Sequence, residues 1–181
     1  MPNALLTEAF GRIRGVVHSA LKDASVDVLT YRADPGANTM AWLIWHLTRV
    51  QDDHVADLLD QEQVWTAQGW AARFDLPFDP DATGYGQSEA EVAAVRSGAD
   101  LLGGYYDAVH ARTLTFLGTV TEADLARIVD ASWDPPVTLA VRLARHTANG
   151  WDNAAIPDDV RDIASLLNLS QTATLLLLEG I

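Results

Sequence analysis

The segment that decides the fold reads Asn38-Thr39-Met40-Ala41-Trp42-Leu43-Ile44-Trp45-His46-Leu47-Thr48-Arg49-Val50-Gln51-Asp52-Asp53-His54. Apolar residues recur at the spacing of a helix with one buried face, and they are Met40, Leu43, Ile44, Leu47, Val50, Val55 and Leu58. The turn-forming pair Pro35-Gly36 precedes the segment, and Asn38 belongs to a residue type that caps helix starts. The sequence therefore predicts a helix that begins after Asn38 and ends near Gln61.

His46 falls at the edge of this predicted apolar face. At 100° per residue, four residues point within about 40° of its direction, namely Trp42, Val50, Asp53 and Asp57. Two interpretations are open. His46 is either a half-buried histidine that hydrogen-bonds a neighbour, or a metal ligand or proton carrier inside a helix bundle.

The composition sets the class of protein. A chain of 181 residues with 49% apolar and 20% charged residues suits one soluble globular domain, so residues 1–181 are expected to form a single domain. The formal net charge of −13 argues against nucleic acid and anionic membranes as partners, because both select for Lys and Arg.

The chain has no cysteine, which excludes disulfides, thiolate zinc sites and a cysteine nucleophile. Any thiol chemistry would need a thiol from outside. Neither a signal peptide nor a membrane span is recognisable, so we expect a cytoplasmic protein.

Two capping boxes mark further helix starts. Ser88-Glu89-Ala90-Glu91 is expected to open a third helix that continues to Phe116, and Thr121-Glu122-Ala123-Asp124 a short helix that ends at Val129. Within the third helix, Gly103-Gly104 costs roughly 1 kcal/mol per glycine relative to alanine. We interpret this pair as allowing another backbone to approach closely.

Helical spacing also predicts a first helix from Leu5 to Leu21 and a fourth from Val137 to Gly150. A final element is expected to begin at Pro157, a residue type that suits the first helical position. No stretch alternates apolar and polar residues over five or more positions, so no strand is predicted. The expected fold is all-α, a four-helix bundle with an extra C-terminal helix.

Residues 61–87 form a long connection without a clear period. It carries an unusual aromatic load that needs burial, made up of Trp65, Trp70, Phe74, Phe78 and Tyr85. Long connections of this kind are usually functional or disordered. This crossover is expected either to cover one end of the bundle or to act as a pocket wall or lid.

The stretches Leu29–Pro35 and Trp42–Arg49 resemble the DinB-like superfamily, in particular its actinobacterial branch of mycothiol-dependent enzymes, which includes maleylpyruvate isomerase and thiol S-transferases. The similarity extends through residues 63–66, 69–70 and 76–78 to residues 133–139. It covers roughly residues 10–143, and residues 144–181 diverge from the family.

The resemblance implies a four-helix bundle that holds a divalent metal, zinc or nickel, at one end of its core. His46 stands at the position of the ligand from helix two. The other two ligands would come from helix four, one turn apart. An open coordination position would then activate a thiol or water by lowering its pKa.

The sequence departs from this pattern on helix four. His146 is the only histidine there, and the residues four positions away, Arg142 and Gly150, cannot bind a metal. Asn149, one turn from His146, offers only a weak amide oxygen. The predicted metal ligands are therefore His46 and His146, with the third ligand missing.

Three hypotheses follow. The first is an enzyme in which a metal on His46 and His146 and an external low-molecular-weight thiol transform a small electrophile. The second is a metal-free family member that binds or acts on a small apolar molecule, with His46 as proton carrier. The third is a non-catalytic interaction module, a homodimer with Leu175–Leu178 at the contact.

The residues expected to form the site are the same in the two small-molecule hypotheses. The catalytic candidates are His46, Arg49 and Asp53. The candidates for binding the cofactor or ligand are aromatic, namely Trp42, Trp65, Trp70 and Phe74.

Overall fold

The structure is a computed structural model that describes residues 2–132 and 136–149. These residues fall into two compact units. One unit is the continuous segment Arg14–Leu114, and the other joins the start of the chain to the residues after Leu114. This division neither confirms nor contradicts the prediction that residues 1–181 form a single domain.

The described residues are mostly helical. In chain order the elements are α1 (Pro2–Leu21), α2 (Val26–Leu29), α3 (Met40–Leu59), α4 (Val64–Ala67), α5 (Trp70–Phe74), α6 (Glu89–Ala94), α7 (Ala99–Thr119), α8 (Glu122–Leu125), β1 (Ile128–Asp130), β2 (Val137–Thr138) and α9 (Leu139–Asn149). The all-α class is thereby confirmed, with α1, α3, α7 and α9 as the long helices.

The N-cap of α3 lies one residue later in the chain than predicted. Thr39, not Asn38, is the N-cap, because the Thr39 hydroxyl accepts a hydrogen bond from the backbone N–H of Trp42 at 3.1 Å. Both residue types satisfy the free N–H groups of a first turn. The prediction that Asn38 caps the helix was therefore wrong by one residue.

More of the surface of α3 is buried than the predicted apolar face, and the buried part includes polar residues. Met40 is 37% exposed, whereas Thr48, Arg49 and Asp52 are fully buried. An amphipathic pattern predicts burial only when one side of a helix faces solvent. In α3, polar side chains form hydrogen bonds with the crossover and with α7. A polar residue of α3 is therefore not necessarily exposed.

The crossover after α3 contains two short helices, α4 and α5, where the sequence predicted no regular element. The N-cap residue of α4, Gln63, makes no side-chain cap bond. Its role is taken by Asp52 of α3, whose two carboxylate oxygens accept from the backbone N–H groups of Val64 at 2.8 Å and Trp65 at 2.7 Å. A carboxylate at a helix start is favoured by the exposed N–H groups there.

The predicted third helix is interrupted. Its capping box forms as expected at Ser88 and Glu91, but α6 ends at Ala94 and α7 starts only at Ala99. The prediction of one continuous helix was therefore wrong. The glycine pair in α7 faces side chains and not a backbone, since a Cβ at Gly103 would lie 3.3 Å from Leu21 and one at Gly104 would lie 3.1 Å from Trp70.

The unit that includes the later part of the chain contains a small antiparallel sheet. The second capping box forms, but α8 ends at Leu125 and residues 128–130 pair with residues 137–138 as strands β1 and β2. The prediction of helix through Val129 and of no strand was wrong. Such short strands carry too few residues to show a two-residue period.

Several predictions fall outside the described residues. The final element from Pro157 and the proposed dimer contact Leu175–Leu178 belong to them. The homodimer therefore stays a prediction. Among the described helices, none combines the length and the apolar character needed to cross a membrane.

Candidate functional site

The centre of the candidate site is His46, on the second turn of α3. Only 4% of its surface is exposed, so it is more deeply buried than its position at the edge of the apolar face suggested. Its Nδ1 lies 2.5 Å from the backbone carbonyl oxygen of Thr83. A carbonyl only accepts hydrogen bonds, so Nδ1 is the donor in this contact; when the ring is neutral, its lone pair is therefore on Nε2.

Two aromatic rings and one glycine hold the His46 ring in place. Trp42, one turn earlier on α3, stacks on it with ring centroids 4.6 Å apart. Tyr85 meets it edge-on at 5.3 Å. Gly84, at a φ of +110°, brings the backbone so close that a Cβ there would lie 2.3 Å from His46 Nδ1. The segment of residues 83–87 therefore encloses His46 on the crossover side.

Gln87 is the last residue of the segment 83–87. Its Oε1 accepts a hydrogen bond from the indole Nε1 of Trp42 at 2.6 Å. Trp42, a predicted ligand-binding residue, thus contacts both His46 and the end of the enclosing segment.

Arg49, a predicted catalytic residue, is fully buried one turn after His46. Its guanidinium donates to the backbone carbonyls of Asp81 at 3.3 Å and Ala82 at 3.1 Å and to the Gln63 side chain at 2.6 Å. It also lies over the Trp65 ring, 4.7 Å from the centroid. These contacts tie α3 to both ends of the crossover.

Asp53, the third predicted catalytic residue, lies on the same side of α3. Its carboxylate accepts from Gln63 Nε2 at 2.7 Å. The Gln63 amide therefore bridges Arg49 and Asp53, since its oxygen accepts from Arg49. The structure brings these two residues together through Gln63.

The other three predicted ligand-binding aromatics form a cluster around Tyr105 of α7. Trp65, Trp70 and Phe74 are between 2% and 7% exposed, and their rings lie 5.1, 5.6 and 5.8 Å from that of Tyr105. Centroid distances in this range are typical of packed aromatic side chains. The cluster forms an apolar core beneath α4 and α5.

A buried hydrogen-bond chain passes through this core. The Tyr105 hydroxyl donates to the Asp52 carboxylate at 2.9 Å and accepts from Arg49 at 3.5 Å. Burial and the Asp52 charge raise the pKa of Tyr105 well above its usual value, so the phenol stays protonated. Asp52 and Tyr105 were missed from the sequence, although Asp52 lies within about 20° of Trp45 on the helix.

His146, the second predicted metal ligand, is half-buried on α9. It belongs to one compact unit and His46 to the other. Across residues 2–132 and 136–149, no three side chains of His, Cys, Asp or Glu are grouped so that they could hold a metal ion. The described residues thus do not supply the three protein ligands of a catalytic zinc site.

Two further histidines lie away from this site. His18 of α1 bonds the Asp107 carboxylate of α7 at 2.8 Å, and Arg14 bonds the same oxygen at 2.7 Å. Burial is the largest single influence and would raise the pKa of Asp107, but the hydrogen bonds and the charges of Arg14 and His18 together lower this pKa. His110 is 7% exposed, and burial lowers its pKa, as do the charges of Arg14 and His18.

Little in the sequence marks residues 83–87 as the segment that encloses His46. Gly84-Tyr85-Gly86 lacks the preceding strand and the third glycine of a nucleotide-binding fingerprint. Two glycines around an aromatic residue do indicate positive φ angles, and both glycines have them. Nothing in the sequence singles out Gln87, because its role depends on which indole lies beside it.

Comparison with known proteins supports the fold. The family described as the DinB superfamily matches residues 9–154. The chain is also similar to a conserved protein from Enterococcus faecalis known from a crystal structure, with 24% identity, a TM-score of 0.76 and 93% of each chain covered. At that identity the likeness concerns the fold alone. No curated protein matches the sequence.

Proposed function

Because the chain belongs to the DinB superfamily, we propose that it joins a small electrophile to an external low-molecular-weight thiol at His46. The observation that carries this proposal is the hydrogen bond between His46 Nδ1 and the Thr83 carbonyl. It leaves the lone pair on Nε2, where a neutral imidazole can accept a proton. The chain has no cysteine of its own, so the nucleophilic sulfur comes from the thiol substrate.

The proposed reaction needs one proton transfer. His46 Nε2 takes the thiol proton, the sulfur forms a bond to the electrophilic carbon, and the leaving group departs with its bonding electrons. The thiolate is the reactive form of a thiol, so a nearby base increases its concentration. Since His46 is 4% exposed, the reaction takes place largely shielded from water.

The surrounding residues position this base. Trp42 and Gly84 fix the plane of the ring, and Arg49 fixes the crossover that carries Thr83. A base held in one orientation saves the entropy that a mobile side chain would lose on reaction. Arg49 and Asp53 are thereby proposed to support the site from their contacts with Gln63.

The test is thiol consumption with mycothiol or N-acetylcysteine and a panel of small electrophiles. We expect His46→Gln to lower kcat/KM by about 100-fold or more, as is typical for the loss of a general base. His18→Gln, which removes a histidine paired with Asp107, should leave the rate unchanged. Equal rates for the wild type and His46→Gln would contradict the proposal.

A metal-dependent form of the same reaction is the second candidate. Histidines that bind metals usually donate their other ring nitrogen to a carbonyl or carboxylate, as His46 does to Thr83. Zinc or nickel held by His46 would polarise the thiol, with its other ligands supplied by the substrate or by other parts of the chain.

Elemental analysis separates the two forms. Protein purified without chelators is expected to hold about one zinc or nickel per chain only in the metal-dependent form, and His46→Gln should then lose it. Full thiol-transfer activity in metal-depleted protein would support the direct role of His46 as base.

A further inference from the structure

His46 is almost closed off from solvent, yet the proposed reaction requires a small molecule to reach it. Only 4% of the residue is exposed. Of the two rings packed against it, Trp42 is 3% exposed and Tyr85 is 54% exposed. Tyr85 is thus the aromatic neighbour that extends from the His46 ring to the protein surface. A movement that admits a small molecule is expected at such a boundary between the site and solvent.

The chain around Tyr85 is held on both sides of this residue. On the N-terminal side, side chains of α3 donate hydrogen bonds to the backbone carbonyls of residues 81–83. On the C-terminal side, Trp42 donates to the Gln87 side chain at 2.6 Å, and Arg32 donates to the Glu89 carbonyl at 2.6 Å. These contacts fix the two ends of a short stretch of chain.

The tripeptide Gly84-Tyr85-Gly86 lies between these two fixed ends. Its glycines have φ angles of +110° and +70°, and glycine adopts positive and negative φ about equally readily. Rotation at the two glycines therefore turns Tyr85 while the fixed ends stay in place. A Cβ at Gly86 would meet no atom within 4 Å, so there is open space on this side of the tripeptide.

We propose that Tyr85 is a movable cover over His46, which turns outward about Gly84 and Gly86 to admit the electrophile. The described conformation is the closed one, in which the Tyr85 ring lies 5.3 Å from the His46 ring. Closure shields the reacting groups from water, and opening lets substrate and product exchange. This inference rests on the proposed function of His46, but the cover itself is measurable without turnover.

Deuterium exchange at the Cε1–H of each histidine ring, followed by mass spectrometry, measures the cover. A covered ring exchanges only through its open state, and open states of proteins are commonly populated at about 0.1–10%. His46 of the wild type should therefore exchange about tenfold or more slowly than His18, whose side chain is 41% exposed. A pH profile of each rate separates a change in access from a change in the pKa of the ring.

Tyr85→Ala removes the cover and should raise the exchange rate of His46 about tenfold, toward that of His18. Tyr85→Phe keeps the ring and should exchange as the wild type does. The matched control is Tyr31→Ala, because Tyr31 is another exposed tyrosine, at 70%, and its loss should leave His46 unchanged. Tyr85→Leu should give an intermediate rate, and it replaces Tyr85→Ala if that variant is unstable.

Turnover gives a second readout. With 1-chloro-2,4-dinitrobenzene, the thiol sulfur bonds carbon, chloride leaves and the thiol proton passes to His46. Apparent affinity is reduced by the fraction of protein that is open, so Tyr85→Ala should lower KM for this electrophile about tenfold and change kcat less. An unchanged KM would show that the electrophile enters elsewhere and would overturn the role of Tyr85 in admission.

The inference and the proposed function fail in different ways. If the wild type turns over no electrophile but Tyr85→Ala speeds exchange at His46, the reaction fails and the cover stands. If turnover depends on His46 but its exchange is equal in the wild type and Tyr85→Ala, the cover is refuted and the reaction stands. A rise shared by His46 and the buried His110 would show general loosening of the fold, which also contradicts the cover.

Discussion

At the scale of single residues, the behaviour of His46 depends on the residues that contact it in the fold. The Thr83 carbonyl fixes which ring nitrogen holds the proton, Trp42 fixes the ring plane, and Gly84 leaves room for the ring. A histidine held in this way has one tautomer and one orientation. Its chemistry is therefore sensitive to very small changes in the segment of residues 83–87.

Gly84→Ala tests this sensitivity. The added Cβ would lie 2.3 Å from His46 Nδ1 at a φ of +110°, so we expect a loss of roughly 2–3 kcal/mol in the free energy of unfolding and loss of thiol transfer. Gly86→Ala is the matched control, because Gly86 also has a positive φ, +70°, but nothing within 4 Å of its Cβ position. Urea unfolding measures both.

If Gly84→Ala and Gly86→Ala lose the same stability, backbone strain explains the whole effect and the close contact with His46 contributes nothing. The proposed positioning of the ring would then be wrong.

Single residues were predicted from the sequence to differing extents. His46 could be singled out because a helical spacing placed it at the edge of an apolar face. Asp52 could not, since a buried carboxylate looks like a surface residue until its partners, the N–H groups of Val64 and Trp65, are known. Gln87 depends in the same way on a contact between residues 45 positions apart in the chain.

At the scale of elements, α3 acts as the support of the crossover. Asp52 caps α4, Arg49 bonds the carbonyls of residues 81 and 82, and His46 bonds that of residue 83. These bonds all start from one face and neighbouring positions of a 20-residue helix. The position of the site therefore depends on polar contacts of α3 as well as on apolar packing.

Asp52→Asn measures the contribution of the cap on α4. The variant keeps one oxygen acceptor and places an amide donor against a backbone N–H, so we expect a loss of about 2 kcal/mol in the free energy of unfolding. Asp53→Asn is the control one residue later, where a single bond from Gln63 can be retained. It should cost less than about 0.5 kcal/mol. Equal losses would contradict the capping role of Asp52.

Thr39→Ala tests the start of α3. Removing the hydroxyl that accepts from Trp42 N should destabilise the protein by about 1 kcal/mol. Ser25→Ala removes the corresponding cap of α2, a helix of only four residues whose capping bond is exposed, and should have a smaller effect. Thermal unfolding of the two variants in parallel shows the difference, and a larger loss for Ser25→Ala would be inconsistent with the structure.

The elements were predicted best where many turns repeat one pattern. α1 and α3 span five turns or more, so their apolar spacing is visible in the sequence. The break between α6 and α7 and the strands β1 and β2 involve only a few residues each. For such short stretches tertiary contacts outweigh local preference.

At the scale of the whole molecule, stability is expected to fall in acid for identifiable reasons. The pKa of His110 is lowered in the folded protein, so below pH 6.5 the unfolded chain binds a proton that the folded chain does not. The pKa of Asp107 is lowered too, and its contribution is lost at still lower pH. Both groups stabilise the fold above their usual pKa values and lose this effect as the pH falls.

His110→Gln should reduce this acid sensitivity. The variant cannot take up the proton, so its melting temperature should change less than that of the wild type between pH 7.5 and pH 5.5. The wild-type melting temperature should decrease over the same interval. Identical slopes for the two proteins would show that His110 does not have a lowered pKa.

The central claim is that neutral His46 carries its proton on Nδ1 and a lone pair on Nε2. Long-range proton–nitrogen NMR of the intact protein measures this directly, with His46→Gln used to assign the signals. At pH 7.5 we expect Nδ1 to resonate as a protonated nitrogen and Nε2 as an unprotonated one. The reverse assignment, or a doubly protonated ring at that pH, would contradict the proposed role of His46.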